Sequence, residues 1–335
     1  MQIADLIFTE LIAFMTPDQI TYLTFGILLV LALVFDLGLL SKKGTHMTIR
    51  KALWQTLFWV TLAMGFFVFL LFEDGQKVAL EYLSAYLTEW SLSIDNIFVF
   101  ILIFSFFGVK EDFYARVLLI GIMMAIVFRV IFITVGIALV ERFEWLLYIF
   151  GVILLYTGIK MFSAKHDEPS NLAENKVYKF LKSFLPLIPQ DGGGKFTMIY
   201  NGKKYYTTIF VVVVMLATTD IVFALDSIPA VFGISTNRMV IYTSNIFAVL
   251  GLRSLFFLLK GAVNKFTHLQ QGIAVVLVFI GLKMLAEIIP LHVPVYVSLL
   301  VILVCIVASI VYSLSVASRN VPVNTDNKHD DTDLH

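Results

Sequence analysis

Charge is scarce in this chain: only 14% of its 335 residues are Asp, Glu, Lys or Arg, and the 24 basic and 24 acidic side chains cancel. That balance excludes the strongly basic surface that nucleic-acid binding requires. Cysteine is rarer still. Cys305 stands alone, so neither an internal disulfide nor a thiolate metal cluster can form within one chain. A basic start followed by a small-residue cleavage site is also missing, and residues 1–19 read as an extracytoplasmic segment rather than a signal peptide. Absent too is the Gly-x-Gly-Asp signature of intramembrane aspartyl proteases, which argues against an enzyme.

What fills the chain is apolar. Hydrophobic residues make up 59%, and the mean hydropathy is +0.91, far above a soluble globular composition. The implied fold is an all-α polytopic membrane protein. With about 20 apolar residues needed per crossing, nine spans are expected, at about 20–40, 53–72, 81–107, 114–140, 143–163, 206–233, 238–262, 268–289 and 293–317. The connections are mostly tight turns such as Glu73-Asp74-Gly75 and Lys110-Glu111-Asp112. One is longer, 164–205, and within it residues on either side of Asn201-Gly202 alternate as a β-hairpin should. Residues 318–335, rich in Asp, Asn and His, read as a disordered tail.

Basic residues orient the spans. Assigned by alternate loops, Lys77, Arg142, Arg238 and Lys283 fall on one side. The other side holds Lys42, Lys43, Arg50, Lys51, Lys110, Arg116, Lys160, Lys165, six lysines between 176 and 204, Lys260, Lys265, Arg319 and Lys328. The positive-inside rule therefore places the N-terminus outside and the long loop and C-terminus in the cytoplasm.

Two stretches stand out inside this apolar background: Glu89-Trp-Ser-Leu-Ser-Ile-Asp95-Asn96 and Asp220-Ile-Val-Phe-Ala-Leu-Asp226-Ser227. Each sets two carboxylates six residues apart, with a short polar side chain after the second. Ionisable groups in hydrocarbon are costly, and they mark ion or proton pathways by default. The similarity extends further. Phe107-Gly108 matches Phe232-Gly233, Arg129 matches Arg253, and Gly158-Ile-Lys160-Met161 matches Gly281-Leu-Lys283-Met284. Three spans thus recur, 81–163 and 206–289, leaving spans 1 and 2 (20–80) and span 9 (293–317) outside the repeat. An odd number of spans per unit forces the second copy to insert upside down, an inverted repeat of the kind transporters use, with the site at the repeat interface.

The acids define a ligand chemistry. Six residues advance an intact helix by about 600°, which leaves paired carboxylates about 120° apart. Pro229 and the hydroxyls of Ser91, Ser93, Thr218 and Thr219 suggest local unwinding that would add carbonyl oxygens. Glu89, Asp95, Asp220 and Asp226, with Asn96 and Ser227, would then offer oxygen alone, which suits Mn²⁺, Mg²⁺ or Ca²⁺ rather than Cu(I) or Zn²⁺. Arg129 and Arg253 offset two of the four charges and Asn245 lies on the Arg253 helix face, so one divalent cation would neutralise a cavity shared by all six charged groups. Protons would take its place when the site is empty, making cation–proton exchange natural. The bland alternative is that such polar residues tie helices together. For Arg129 and Arg253, pairing with the acids is at least as good a reading as substrate contact. Asp36, near the end of span 1, is best read as reaching Lys42 at the interface.

Glu89 to Asn96, Phe223-Ala-Leu-Asp226-Ser227-Ile-Pro229-Ala230, and Thr243-Ser-Asn245 through Arg253 together resemble the TerC family of integral membrane proteins, and most closely its Alx-like branch. The resemblance covers residues 20–317. It implies manganese(II) as the transported ion and export as the direction, in a bacterial inner membrane, with the family's acidic metal residues falling on Glu89, Asp95, Asp220 and Asp226. Tellurium resistance and redox modulation are also associated with this family, so a membrane scaffold or redox modulator without ion flux is the competing expectation. No permanently bound cofactor is implied. The partners are the divalent cation and the lipid bilayer, and both a monomer and a homo-oligomer are compatible with the sequence.

Overall fold

A computed structural model describes residues 21, 23–31, 48–163, 176–188, 190–260, 269–286, 288–289 and 293–319. The expected N-terminal segment 1–19, Asp36 and the tail from 320 lie outside them. The described helices are α1 (residues 23–31), α2 (Ile49–Glu73), α3 (Gln76–Phe106), α4 (Glu111–Arg142), α5 (Leu146–Ser163), α6 (Lys176–Phe184), α7 (Thr208–Phe232), α8 (Arg238–Lys260), α9 (Leu269–Ala286) and α10 (Val295–Arg319). Local chemistry sets their ends. Thr48 caps α2 by accepting from the Lys51 amide at 3.4 Å. Glu111 and Asp112 open α4 while Arg142 closes it, each complementing the helix dipole.

Among the described residues, six helices have the length and apolarity to cross a membrane: α2, α3, α4, α7, α8 and α10. Most of the first expected span, 20–40, lies outside the described residues. The apolar cores of α5 and α9, Leu146–Phe162 and Gln270–Ala286, are shorter, reaching about 25 Å against a hydrocarbon core of about 30 Å. The protein is an all-α polytopic membrane protein, and its short helices are a matched pair.

The packing follows the repeat. Units α3–α4–α5 and α7–α8–α9 contact each other crosswise: α3 packs chiefly on α8, α4 on α7, and α5 on α9. First against second, second against first and third against third is what a two-fold axis relating the units would produce. The α5–α9 crossing shows this at atomic level. A Cβ on Gly281 would meet the Gly151 carbonyl and Leu155, while one on Gly158 would meet the Ala274 carbonyl and Val278. Since Gly158 corresponds to Gly281, Gly151 to Ala274 and Leu155 to Val278, each contact is the counterpart of another. Gly151 lies by Gly281 and Gly158 by Ala274, so the two helices run antiparallel and their Lys-Met ends face opposite sides of the membrane.

Glycine is required there because backbone faces backbone. Gly158→Ala and Gly281→Ala are each expected to destabilise the detergent-solubilised protein by about 1–3 kcal/mol through overpacking. Gly65→Ala, with nothing within 4 Å of the new Cβ, should be neutral or slightly stabilising. Thermal unfolding of the three variants decides it.

Outside the bundle, β1 (Thr197–Tyr200) and β2 (Lys203–Tyr206) form the expected antiparallel hairpin. Asn201 and Gly202 both have positive φ, 50° and 73°, as a tight primed turn demands. The hairpin region is fastened to α4. Arg116 donates to the Gly194 carbonyl at 3.0 Å and lies over the Phe196 ring, and Lys110 pairs with Asp191 at 2.7 Å. The Lys110 ammonium, then the Gly193 amide, hold the Asp191 carboxyl below its usual range. The tie therefore acts above that range and is lost as pH falls through the lowered value.

Candidate functional site

Four helices, two from each repeat, bring polar groups to the centre of the bundle. Arg129 of α4 is the hub. Its Nε and Nη2 donate to the two oxygens of Asp220, both at 3.0 Å, a bidentate pair that fixes the guanidinium plane. Nη1 donates to Glu89 Oε1, to Ser227 Oγ at 3.4 Å and to Asn245 Oδ1 at 3.2 Å. The Asn245 amide donates in turn to the Ile241 carbonyl at 2.9 Å, which aims its oxygen at the arginine. Burial is nearly complete, with side chains of Glu89, Arg129 and Asp220 0–1% exposed. Glu89 and Asp220 are repeat equivalents, so one guanidinium joins matching positions of the two units. Its own counterpart, Arg253, is buried on α8.

The cluster is tightly held but not saturated. Glu89 Oε2, Ser91 Oγ and Ser93 Oγ are buried without a hydrogen-bond partner among the described residues. All three belong to the first of the two acidic stretches. Buried polar atoms of this kind are where water or an ion is normally accommodated.

Asp226 has different surroundings. Thr157 of α5 donates to its Oδ1 at 3.1 Å, and it lines a cavity of about 240 Å³ with Leu92, Asn96, Lys160, Phe223, Ser227 and Gln270. Asp95 is helical, within α3, and its side chain lies outside the described residues. Among the described side chains, Glu89 and Asp220 therefore meet on Arg129, while Asp226 lines the cavity. Among them, no three His, Cys, Asp or Glu side chains gather closely enough to hold a metal by themselves. The expected unwinding does not occur: α3 and α7 run as continuous helices, α7 with Pro229 inside it. Thr218 and Thr219 donate to the carbonyls four residues back, Val214 and Met215, both at 2.7 Å. They decorate intact turns instead of replacing lost bonds. Asp220 and Asp226 thus face different neighbours, α4 and α5.

A larger cavity of about 600 Å³ lies at the other face, lined by Lys77, Glu81, Ser235, Asn237, Lys283 and Met284 among others. Ser235 donates to Glu81 at 2.5 Å. Lys283-Met284 is the counterpart of Lys160-Met161, which lines the smaller cavity, so each repeat contributes the same helix end to a different side. Sequence reading missed Thr157, Gln270 and Glu81. Thr157 corresponds to Ile280 in the second unit, so the repeat itself gave no signal for it. Glu81 lies eight residues before Glu89 without a carboxylate at the matching position, Val212.

Crossed three-helix units, a buried charged centre and a cavity beside each of the two Lys-Met helix ends belong to a polytopic α-helical membrane protein. The chain belongs to the TerC family: the family model described as integral membrane protein TerC family matches residues 74–321. That range begins just before α3, leaving α1 and α2 outside it. A relative from Salmonella typhi, named as a candidate membrane-bound redox modulator Alx, is 41% identical over 270 residues, 78% of this chain and 84% of its own. The protein of the same name from Escherichia coli K12 is 40% identical with the same coverage. An uncharacterized membrane protein of Myxococcus xanthus, STKORF319, is 41% identical over 75% of this chain and 79% of its own. No solved structure matches.

Proposed function

We propose that this protein exports a hard divalent cation, manganese(II), from the cytoplasm in exchange for protons, and that it is a carrier with no enzymatic activity. It would lie in the bacterial cytoplasmic membrane with the N-terminus outside and the C-terminus inside. The observation that carries this reading is the cavity at Asp226, where a carboxylate and several neutral oxygen donors interrupt a mainly apolar wall that includes Leu92, Met161, Phe223 and Leu277. It adjoins the buried centre through Ser227, which accepts from Arg129. Asp226 supplies charge, and Asn96, Thr157, Ser227 and Gln270 supply neutral oxygens, a donor set suited to a hard cation. Lys160, on the same wall, balances Asp226 when no cation is bound. To pass the centre the cation has to take Glu89 and Asp220 from Arg129, so the guanidinium acts as a closed gate between the two cavities. The choice of manganese rests on the TerC resemblance.

The names of the Alx relatives favour a second reading, a membrane-bound redox modulator without ion flux. Cys305, half-buried on α10, is the sole thiol to serve it. Proteoliposomes carrying the whole chain and a luminal Mn²⁺-quenched dye separate the two. Under the transport reading, Mn²⁺ flux saturates and an imposed pH gradient drives it, with protons moving oppositely. Folded protein that passes no Mn²⁺ leaves the redox reading. Flux indifferent to the pH gradient removes the exchange mechanism and keeps the carrier.

A further inference from the structure

Helix α6 has three distinct sides. Tyr178 packs its ring on Phe107 with centroids 5.4 Å apart, and Leu181 is buried, so one side faces the protein. A second side carries Phe180 and Phe184, 61% and 71% exposed, their rings 4.7 Å apart. The third carries Lys179, Lys182 and Ser183, all exposed. Two adjacent bare phenylalanines beside lysines form an amphipathic surface that the protein itself leaves uncovered among its described residues.

The helix is also fixed in place. Phe107 is the residue that ends spanning helix α3. At the other end, Leu187 bridges Tyr206, whose amide donates to the Pro186 carbonyl at 2.9 Å, and spanning helix α7 begins two residues after Tyr206. Lying beside the ends of two spanning helices, α6 sits at the level where the bilayer meets water. From the helix onward the charge is mostly basic: residues 176–207 contain six lysines and a single acid, Asp191, which is engaged by Lys110, whereas the acids Asp167, Glu168 and Glu174 precede the helix in the chain. An isolated helix of nine residues is too short to hold in water by itself, and only one side of α6 is covered by protein.

We propose that α6 is an interfacial helix that binds the headgroups of anionic phospholipids in the surrounding bilayer, with Phe180 and Phe184 set into the acyl-chain boundary. The lysines reach along the surface to the phosphates, as amphipathic basic helices do. Charge complementarity with an anionic leaflet and the position beside α3 and α7 select this occupant over a soluble partner. The inference is independent of the transport reading.

The test uses the full chain with Cys305→Ala and Phe184→Cys, the new thiol carrying an environment-sensitive fluorophore, in nanodiscs of phosphatidylcholine with or without about a quarter phosphatidylglycerol. In the anionic discs, lipids bearing a nitroxide near the headgroup should quench the label and aqueous iodide should not. Removing phosphatidylglycerol, or adding Lys179→Gln with Lys182→Gln, should raise iodide quenching at least about two-fold. Iodide quenching in every disc shows a solvated helix and overturns the proposal. Lipid quenching that ignores both phosphatidylglycerol and the lysines overturns the headgroup recognition. Shielding from both quenchers shows the surface to be covered by protein, which also overturns it.

Discussion

Replacing Arg129 by methionine is expected to leave the protein barely folded. The substitution keeps most of the side-chain volume and removes the charge between Glu89 and Asp220, two carboxylates that are 0–1% exposed. Removing one partner of a buried ion pair costs about 3–5 kcal/mol, because the remaining charge has neither water nor counter-ion. Here two carboxylates lose the same partner at once. That loss rivals the net stability of a whole domain. Arg129→Lys should rescue little, since a single ammonium cannot reproduce the planar fork that bonds both oxygens of Asp220 while reaching Glu89. The informative variant is the triple substitution Arg129→Met, Glu89→Gln and Asp220→Asn. With the charges gone together it should regain most of the lost stability. Thermal unfolding in detergent and the monodisperse fraction after extraction measure all three proteins. If Arg129→Met unfolds like the parent chain, the guanidinium is not what holds the centre together.

Asp226→Asn should produce the opposite combination, a stable protein without flux. Asp226 accepts from Thr157 at 3.1 Å, and an asparagine oxygen can accept the same bond. Stability should therefore change by less than about 1 kcal/mol. The charge, however, is the only carboxylate among the described residues lining that cavity. Mn²⁺ flux in proteoliposomes is expected to fall by at least about tenfold, the loss of one charge-assisted ligand contact. Thr157→Val, which removes the donor and leaves the carboxylate, should keep the maximal rate within a few-fold and shift the concentration dependence. If Asp226→Asn transports normally, the cavity is not on the ion path. Set beside the Arg129 variants, this result assigns the symmetric acids different roles, with Glu89 and Asp220 closing the centre and Asp226 meeting the cation.

The carrier reading gains from the way the two cavities relate. Antiparallel α5 and α9 present Lys160-Met161 and Lys283-Met284 to opposite faces, and α3–α8 and α4–α7 repeat one contact in mirrored roles. A structure of this kind can exchange the conformations of its two halves, closing one cavity as the other opens, because the two arrangements are built from equivalent contacts. Under the carrier reading, the contact that would have to break is the one by which Arg129 engages both Glu89 and Asp220.

Much of this was legible in the sequence. The scarcity of charge forced a membrane class, because hydrocarbon tolerates few ions. The recurrence of carboxylates at one spacing showed the repeat, and the odd number of spans made it inverted by counting alone. Asn201-Gly202 specified the hairpin turn, since those two residues accept positive φ at little cost. Each of these follows from local chemistry or from arithmetic along the chain. The partners of the acids followed from neither. Spacing placed Asp220 and Asp226 on different sides of an intact helix, yet which helices those sides would meet depended on how α4 and α5 lie against α7. Symmetry in the sequence gave Arg129 and Arg253 equal standing, and packing placed Arg129 between the equivalent acids. Pro229 and the neighbouring hydroxyls read as signs of unwinding, but the bundle keeps α7 continuous and returns the threonine hydroxyls to its own carbonyls. Residues far apart in the chain meet only through the relative placement of whole helices, and no period or spacing within one helix encodes that placement.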